Sequence, residues 1–162
     1  MHRIVNLADF PEHVPTVAGW VYGEWGHLTP GLTETRQGEI VRAQLHHDRV
    51  PLTLLALDGA SPAGTAALIA HDMTGRPELT PWLAAVYVSP EHRRRGIGAA
   101  LVSAIEREAA RLAVSTLSLF TPDQESFYAR LGWTTREWTD YRGERVVIMQ
   151  KTLAPRESIT ST

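Results

Sequence analysis

The sequence predicts an α/β (α+β) fold built on a central mixed sheet with helices on both faces. Three observations predict it. Apolar runs of strand length recur along the whole chain. Segments with the 3.6-residue period of a helix lie between some of those runs. No repeat, low-complexity stretch or linker divides the 162 residues, so a single domain over residues 1–153 with one core is expected.

Each element has its own signal. Arg3 to Ala8 reads as a first strand, ended by Asp9-Phe10-Pro11. Val14, Val17, Val21 and Trp25 then recur at helical spacing, and Pro11 and Pro15 fit only near the first turn of that helix. A second helix is expected from just after Thr33 to about His47, with Ile40, Val41 and Leu45 on its apolar side. Leu52 to Leu57 and Gly64 to Ala70 are apolar runs joined across Asp58-Gly59-Ala60-Ser61-Pro62, which makes them a hairpin. Leu83 to Val88 is the next strand.

Ile97 to Ala113 follows as a helix with Ile97, Leu101, Ile105 and Leu112 inward. Leu117 to Phe120 reads as a buried strand. The helix after it is punctuated by a Thr121-x-x-Gln124 capping box, Pro122 at the first helical position and Gly132 as the stop. Two last strands, Thr134 to Thr139 and Arg145 to Leu153, flank Asp140-Tyr141-Arg142-Gly143. Residues 154–162 read as a polar, mobile tail. Strands first, then strand, helix, strand, helix and strands, is the order that covers both faces of a mixed sheet.

Composition narrows the function classes. A net charge of −2 gives no reason to expect nucleic acid or an anionic membrane as partner. Cysteine is absent, which excludes disulfides, thiolate metal sites and a cysteinyl acyl-enzyme. There is no Gly-x-Ser-x-Gly elbow for a serine route. Met-His-Arg-Ile-Val-Asn shows no signal-peptide pattern, and no apolar run approaches spanning length, so a cytoplasmic protein is expected. His46 and His47 are adjacent and point apart, no ligand spacing such as His-Glu-x-x-His occurs, and no metal is expected.

The most informative stretch runs from Val86 to Leu101. A strand feeds a short turn, then Arg93-Arg94-Arg95, then Gly96-Ile97-Gly98, then a helix. Free N–H groups and the dipole at a helix start favour anions, and a residue without Cβ lets a phosphate approach the main chain. Gly-x-Gly alone is a weak signal. It is no dinucleotide fingerprint, because Leu101 stands where a third glycine is required, and no P-loop, which ends in Gly-Lys-Ser/Thr. A phosphate-bearing ligand is the leading inference.

Arg93 to Gly98 fits the Arg/Gln-x-x-Gly-x-Gly/Ala pattern, and with Val86-Tyr87-Val88-x-Pro before it resembles the GNAT superfamily of Gcn5-related N-acetyltransferases. Leu117 to Trp133, ending Phe127-Tyr128-x-x-Leu131-Gly132-Trp133, resembles the same family at the expected spacing. Thr121-Pro122-Asp123-Gln124-x-x-Phe127-Tyr128 is most similar to the helix of the actin N-terminal acetyltransferase and its bacterial relatives. The resemblance implies a mostly antiparallel sheet of about seven strands that splays between strands four and five.

It also implies acetyl-CoA as donor and an amine as acceptor. The pyrophosphate would lie on the backbone from Arg94 through Gly96 and Ile97 to Gly98 and Ala99, with Arg93, Arg94 and Arg95 supplying charge. One backbone donor to an anion contributes on the order of 1.5–3 kcal/mol. The pantetheine arm would pair along Val86, Tyr87 and Val88 as an added strand. The Val88 amide would polarise the thioester carbonyl.

Tyr128 is the candidate general acid for the departing thiolate, against a competing reading as a packed tyrosine with a wet tip. Proton transfer from a tyrosine near 10 to a thiolate near 8.5 is uphill by about 2 kcal/mol in water. Thr121 stands where many relatives carry asparagine, which puts its coenzyme contact in question. No general base is legible; His71, Asp72 and Glu78 are the nearby titratable groups, each also readable as a solvated loop residue. Trp25, His27, Trp82 and Tyr141 are candidate acceptor-lining residues, and a monomer or homodimer is expected. A non-catalytic acyl-CoA-binding sensor or partner module is the competing function.

Overall fold

The computed structural model describes residues 2–153, so the expected tail at 154–162 lies outside the described residues. Strands β1 (His2–Asn6), β2 (Leu52–Asp58), β3 (Ser61–Ile69), β4 (Trp82–Val88), β5 (Thr116–Thr121), β6 (Thr134–Tyr141) and β7 (Glu144–Thr152) form one seven-stranded sheet. Helices α1 (Val14–Trp25) and α2 (Glu34–Arg42) precede β2. Helix α3 (Ile97–Arg111) joins β4 to β5, and α4 (Glu125–Arg130) joins β5 to β6.

Strand order is β1-β2-β3-β4-β5-β7-β6, and every neighbouring pair is antiparallel except β4 and β5. Alternation along each strand assigns the helices to faces. Leu54, Leu117, Leu119, Val147 and Met149 point to the face that packs Leu101, Ile105 and Tyr128 of α3 and α4. Leu55 and Leu57 meet Val14, Val17 and Val41 of α1 and α2 on the opposite face. Val146 and Ile148 point to that second face too, where Met73 and Leu79 of the β3–β4 loop cover them together with Trp82. Strands β2 and β3 are covered on both sides, which is why they read as unbroken apolar runs.

The parallel pair is the weak seam. β4 and β5 share one register position, Trp82 with Ser118, and Ser118 N–H donates to Pro81 O at 3.3 Å. Beyond that point the strands part. β4 also carries a bulge: Ala85 is left-handed at φ 55°, and the β3–β4 register shifts between Thr65 and Ala67. After the bulge Tyr87 pairs with Thr65, and Ser89 N–H returns to Ala63 O at 2.9 Å. The intervening Val88 therefore aims its amide and carbonyl away from β3, into the gap.

Several boundaries differ from expectation for local reasons. β1 stops at Asn6, whose side chain accepts the Ala8 N–H at 2.8 Å and opens a 3-10 turn. α2 begins at its expected cap, Thr33 to Arg36 N–H at 3.1 Å, but ends at Arg42 rather than near His47. Tertiary bonds hold the last part of that segment: Asn6 Nδ2 donates to His46 O, and His46 Nδ1 meets Pro51 O, both at 2.8 Å. α4 begins at Glu125, because Thr121 still belongs to β5. Its Oγ1 accepts the Gln124 N–H at 3.1 Å, so half of the capping box forms. Gly132 does stop α4: at φ 91° it allows Trp133 N–H to reach Tyr128 O and its own N–H to reach Ala129 O, both at 3.1 Å.

Gly64 sets how closely β3 approaches β4, since a Cβ there would lie 2.7 Å from the Tyr87 carbonyl oxygen and 3.1 Å from Leu101 Cδ1. Gly64→Ala is expected to destabilise the protein by about 2 kcal/mol, read as a lower urea midpoint. An unchanged midpoint would mean that the two strands separate there without cost.

Candidate functional site

The chain leaves β4 at Ser89, makes a 3-10 turn over Pro90–His92, and enters α3 through two left-handed residues, Arg94 at φ 66° and Gly96 at φ 76°. Ala100 N–H makes the first helical bond, 3.0 Å to Gly96 O. The N–H groups of Ile97, Gly98 and Ala99 therefore have no carbonyl one turn back, and they carry the positive end of a 15-residue helix. Gly98 faces the gap: a Cβ there would stand 3.6 Å from Phe127 Cζ of α4 and 3.7 Å from Val88 Cγ2 of β4. The Ile97 side chain is 3% exposed and belongs to the core, so only its backbone is available to a ligand.

The three arginines take different roles. Arg93 Nε donates to Val88 O at 2.9 Å, and its guanidinium lies 5.6 Å from the Tyr87 ring. Trp20 of α1 packs against that ring at 5.5 Å. Arg93 thus caps the free edge of β4 instead of standing free. Arg95 approaches Asp58 at 3.6 Å, at the end of β2. Arg94 is exposed, and among the described residues it makes no side-chain hydrogen bond or ion pair.

A brace beneath the turn was not anticipated from the sequence. His92 is buried, with Nδ1 hydrogen-bonded to the buried Ser89 Oγ at 2.5 Å and Nε2 3.4 Å from Asp58 Oδ2. Asp58 is thereby shared between His92 and Arg95, so the β2–β3 hairpin fixes both ends of the turn. The visible signal was a histidine set between a proline-led turn and three arginines, which reads equally well as another surface cation.

Tyr128 stands on α4 next to Phe127, the α4 residue that approaches Gly98. It is 8% exposed, with its ring 5.0 Å from Phe127 and 6.2 Å from Trp133. Its hydroxyl has no hydrogen-bond partner among the described residues, yet no sealed side-chain oxygen or nitrogen lacks one. The hydroxyl therefore keeps an opening to solvent. Burial first, and the Asp123 charge second, push its pKa up to about 12. Trp133 is held in turn by Glu106, 3.3 Å from its indole N–H, while Lys151 joins Glu106 and Leu131 O at 2.7 Å each. Thr121 is 6% exposed and its oxygen already accepts two backbone N–H groups, leaving only its hydroxyl proton for a ligand.

Of the acceptor-lining expectations, the one for Trp82 needs correction. Trp82 is wholly buried, its indole N–H bonded to Leu79 O at 2.7 Å and its ring edge-on to Phe120. It is a core residue because the β3–β4 loop folds over it. Trp25 is half-buried at the end of α1, whereas the cavity beside it, of about 410 Å³, is lined by Tyr22, Gly26, His27, Thr29, Pro30 and Leu32 among others. Tyr141 is partly exposed, and its hydroxyl accepts the Thr74 N–H at 3.2 Å. Arg142, next to it, bonds Leu28 O at 3.3 Å and Thr29 Oγ1 at 2.9 Å, tying the β6–β7 turn to the α1–α2 connection.

The three titratable groups left open also separate. His71 is exposed on a second cavity of about 370 Å³ with Met73, Thr74, Gly75 and Pro77. Glu78 is exposed and pairs loosely with Arg76 at 3.7 Å. Asp72 differs. Burial pushes its carboxyl up to about 7, against a smaller lowering by Arg142.

An acetyltransferase (GNAT) domain model matches residues 51–135, more than half of the chain. Together with a sheet parted between two parallel strands and an anion-ready helix start at the gap, this defines the class. The chain belongs to the GNAT acetyltransferase family. Solved structures share the fold at low identity. The aminoglycoside 6′-N-acetyltransferase of Enterococcus faecium is 18% identical over 96% of this chain and 99% of its own, with a TM-score of 0.73. The putative acetyltransferase yncA of Salmonella typhimurium, solved with acetyl-CoA, is 17% identical over 100% and 98%, with a TM-score of 0.69. The ribosomal-protein-S18-alanine N-acetyltransferase of Escherichia coli is 18% identical over 100% and 99%, with a TM-score of 0.62. A search of curated protein sequences gave no significant match.

Replacing His92 by phenylalanine keeps its bulk and strands the Ser89 hydroxyl. The hydrogen-bonded amides of the turn, at residues 92 and 93, are expected to exchange with deuterium faster while the sheet amides stay protected, with an overall loss of about 1–3 kcal/mol. Asp72 makes a pH prediction. Its folded pKa is above the ordinary carboxylate value, so between about pH 4 and 7 the folded state binds more protons than the unfolded one. Stability attributable to this group falls as pH rises through that window. Asp72→Asn is expected to match the wild type near pH 4 and to exceed it at pH 8 by on the order of 4 kcal/mol, measured by urea unfolding at both pH values.

Proposed function

We propose that this chain moves an acetyl group from acetyl-CoA directly to an amine, on a small molecule or a protein N-terminus. The observation that carries the reading is the run of N–H groups at Ile97, Gly98 and Ala99 that have no partner among the described residues, beside a gap that Gly98 leaves open. A diphosphate suits that position by charge and geometry. Arg94 is the cation beside it that has no side-chain partner among the described residues, and Arg93 and Arg95 act by shaping the turn.

The thioester arm is amide-rich and fits the gap beside β4. There Val88 offers its N–H, while its carbonyl is already taken by Arg93. The Val88 N–H is the donor to the thioester oxygen as the acceptor nitrogen bonds to the carbonyl carbon. The surplus proton of the attacking nitrogen passes to water, the carbon–sulfur bond breaks, and the thiolate departs on the side of Tyr128. With cysteine absent, transfer within a ternary complex is the direct route.

The raised pKa of Tyr128 refines its role. A group near 12 giving its proton outright to a thiolate near 8.5 is uphill by about 5 kcal/mol. Its hydroxyl stays protonated throughout the working range, which suits a hydrogen-bond donor to the departing sulfur. The same enclosure is what a sensor that only binds acyl-CoA would tolerate, so turnover decides between the two.

Free-thiol release with acetyl-CoA and a panel of amines, beside calorimetry with CoA, tests the reading. Wild type is expected to bind CoA and release thiol. Tyr128→Phe is expected to cut turnover by about 10- to 100-fold with CoA affinity nearly intact. Equal loss of both would remove the assignment. Binding without thiol release from any amine would favour the sensor.

A further inference from the structure

The β6–β7 hairpin reaches two other segments through contacts that the coenzyme reading does not use. Arg142 Nη1 donates to Leu28 O at 3.3 Å and to Thr29 Oγ1 at 2.9 Å, both in the α1–α2 connection. Tyr141 accepts the Thr74 N–H at 3.2 Å, and Glu137 holds Arg76 at 2.7 Å, both on the β3–β4 loop. One hairpin thus anchors the two segments that cover the face opposite α3.

These contacts close a ring around the gap between β4 and β5 on that face. At its closed end stands the wholly buried Trp82, where the two strands still touch. One lip is Tyr87 of β4, whose ring meets Trp20 of α1 at 5.5 Å. The other lip is Phe120 of β5, whose ring meets Tyr141 at 5.4 Å. From Trp20 the chain runs through the end of α1 to Leu28 and Thr29, and there Arg142 joins it to the far lip. Within the connection the Thr29 and Leu32 N–H groups bond locally, to Gly26 O and Thr29 O. Its position over the mouth is therefore set by the Arg142 tie.

A closed ring passes a narrow group and stops a wide one, because a wide one enters only by breaking the contacts that close it. The lips offer the partly exposed rings of Trp20, Tyr87, Phe120 and Tyr141. Two of those rings already carry a guanidinium, Arg93 at 5.6 Å from Tyr87 and Arg142 at 5.2 Å from Tyr141. An apolar body meets aromatic surface there, whereas a second cationic group on the acceptor meets like charge.

We propose that Arg142 is a positioning residue that sets acceptor specificity. By fixing the α1–α2 connection across the mouth, it restricts the acceptor to a small primary amine with a narrow, apolar body. This rests on the proposed acetyl transfer for there being an acceptor at all.

CoA alkylated on its sulfur by the bromoacetyl amide of a chosen amine carries that amine's body across the gap without any turnover. Three such conjugates are made, from phenethylamine (narrow, apolar), adamantylmethylamine (wide, apolar) and ethanolamine (narrow, polar). Each is titrated calorimetrically into wild type, Arg142→Ala, Arg142→Lys and Thr29→Val, once every variant is shown to unfold cooperatively. CoA alone is the reference in each. Wild type is expected to bind the phenethylamine conjugate about tenfold or more tighter than the adamantylmethylamine conjugate, and tighter than the ethanolamine one. Arg142→Ala is expected to bring the narrow-to-wide ratio within about threefold of unity and to speed deuterium exchange at the Thr29 and Leu32 amides. Arg142→Lys and Thr29→Val, each able to keep one of the two bonds, are expected to fall between. A ratio that Arg142→Ala leaves unchanged overturns the proposal. So does a wild type that binds wide and narrow conjugates equally, or the polar conjugate as tightly as the apolar one. Failure of the acetyl-transfer reading shows separately, as no heat with CoA itself while the exchange difference between wild type and Arg142→Ala persists.

Discussion

The unpaired edge of β4 is the constraint from which the rest of the site follows. A strand in the middle of a sheet ordinarily has partners on both sides, and buried backbone groups left without one are costly. Here the parallel contact with β5 ends after Trp82 and Ser118, and the Ala85 bulge turns the following backbone toward the opening. The protein satisfies one of the exposed groups itself, by laying Arg93 across the Val88 carbonyl. It leaves the Val88 amide for whatever enters. An edge with an amide-bearing guest is more stable than one without, so binding energy is built into the fold before any side chain is considered.

The same economy governs the helix start. Its arginines would suggest that charge does the holding, but two of them are tied down, Arg93 to β4 and Arg95 toward Asp58. Exposed charges beyond about 8 Å are largely screened at physiological salt. Backbone N–H groups at a helix terminus are fixed in direction and need no side-chain ordering. In the proposed reading the amides set the position of the diphosphate, and Arg94 adds attraction from outside. The His92–Ser89–Asp58 brace is then understandable, because fixed amides are useful only on a turn that does not move.

Elements with strong local signals were legible in the sequence. The apolar runs of β2, β3 and β5, the period of α3 and the glycine at the end of α4 all point to what the fold contains. The arginine–glycine string and Tyr128 marked the two sides of the gap. What escaped was set by contacts far apart in sequence. α2 stops early because His46 is bonded to Asn6 and Pro51, and no local residue announces that. Trp82 looked like an aromatic at the mouth of a site, but the loop over residues 70–81 folds back over it, and burial of that kind has no sequence period. The Arg142 clamp joins residues more than a hundred positions apart.

Tyr128 and Asp72 show how one physical cause yields opposite chemical tools on the two sides of the gap. Desolvation raises both pKa values, because in each case it disfavours the charged form. For the tyrosine the charged form is irrelevant at neutral pH, so burial only secures a permanent hydrogen-bond donor. For the aspartate the crossing point is brought to neutrality, where a small external influence decides whether it is charged. The same desolvation thus fixes the protonation state of Tyr128 and leaves that of Asp72 open to its surroundings.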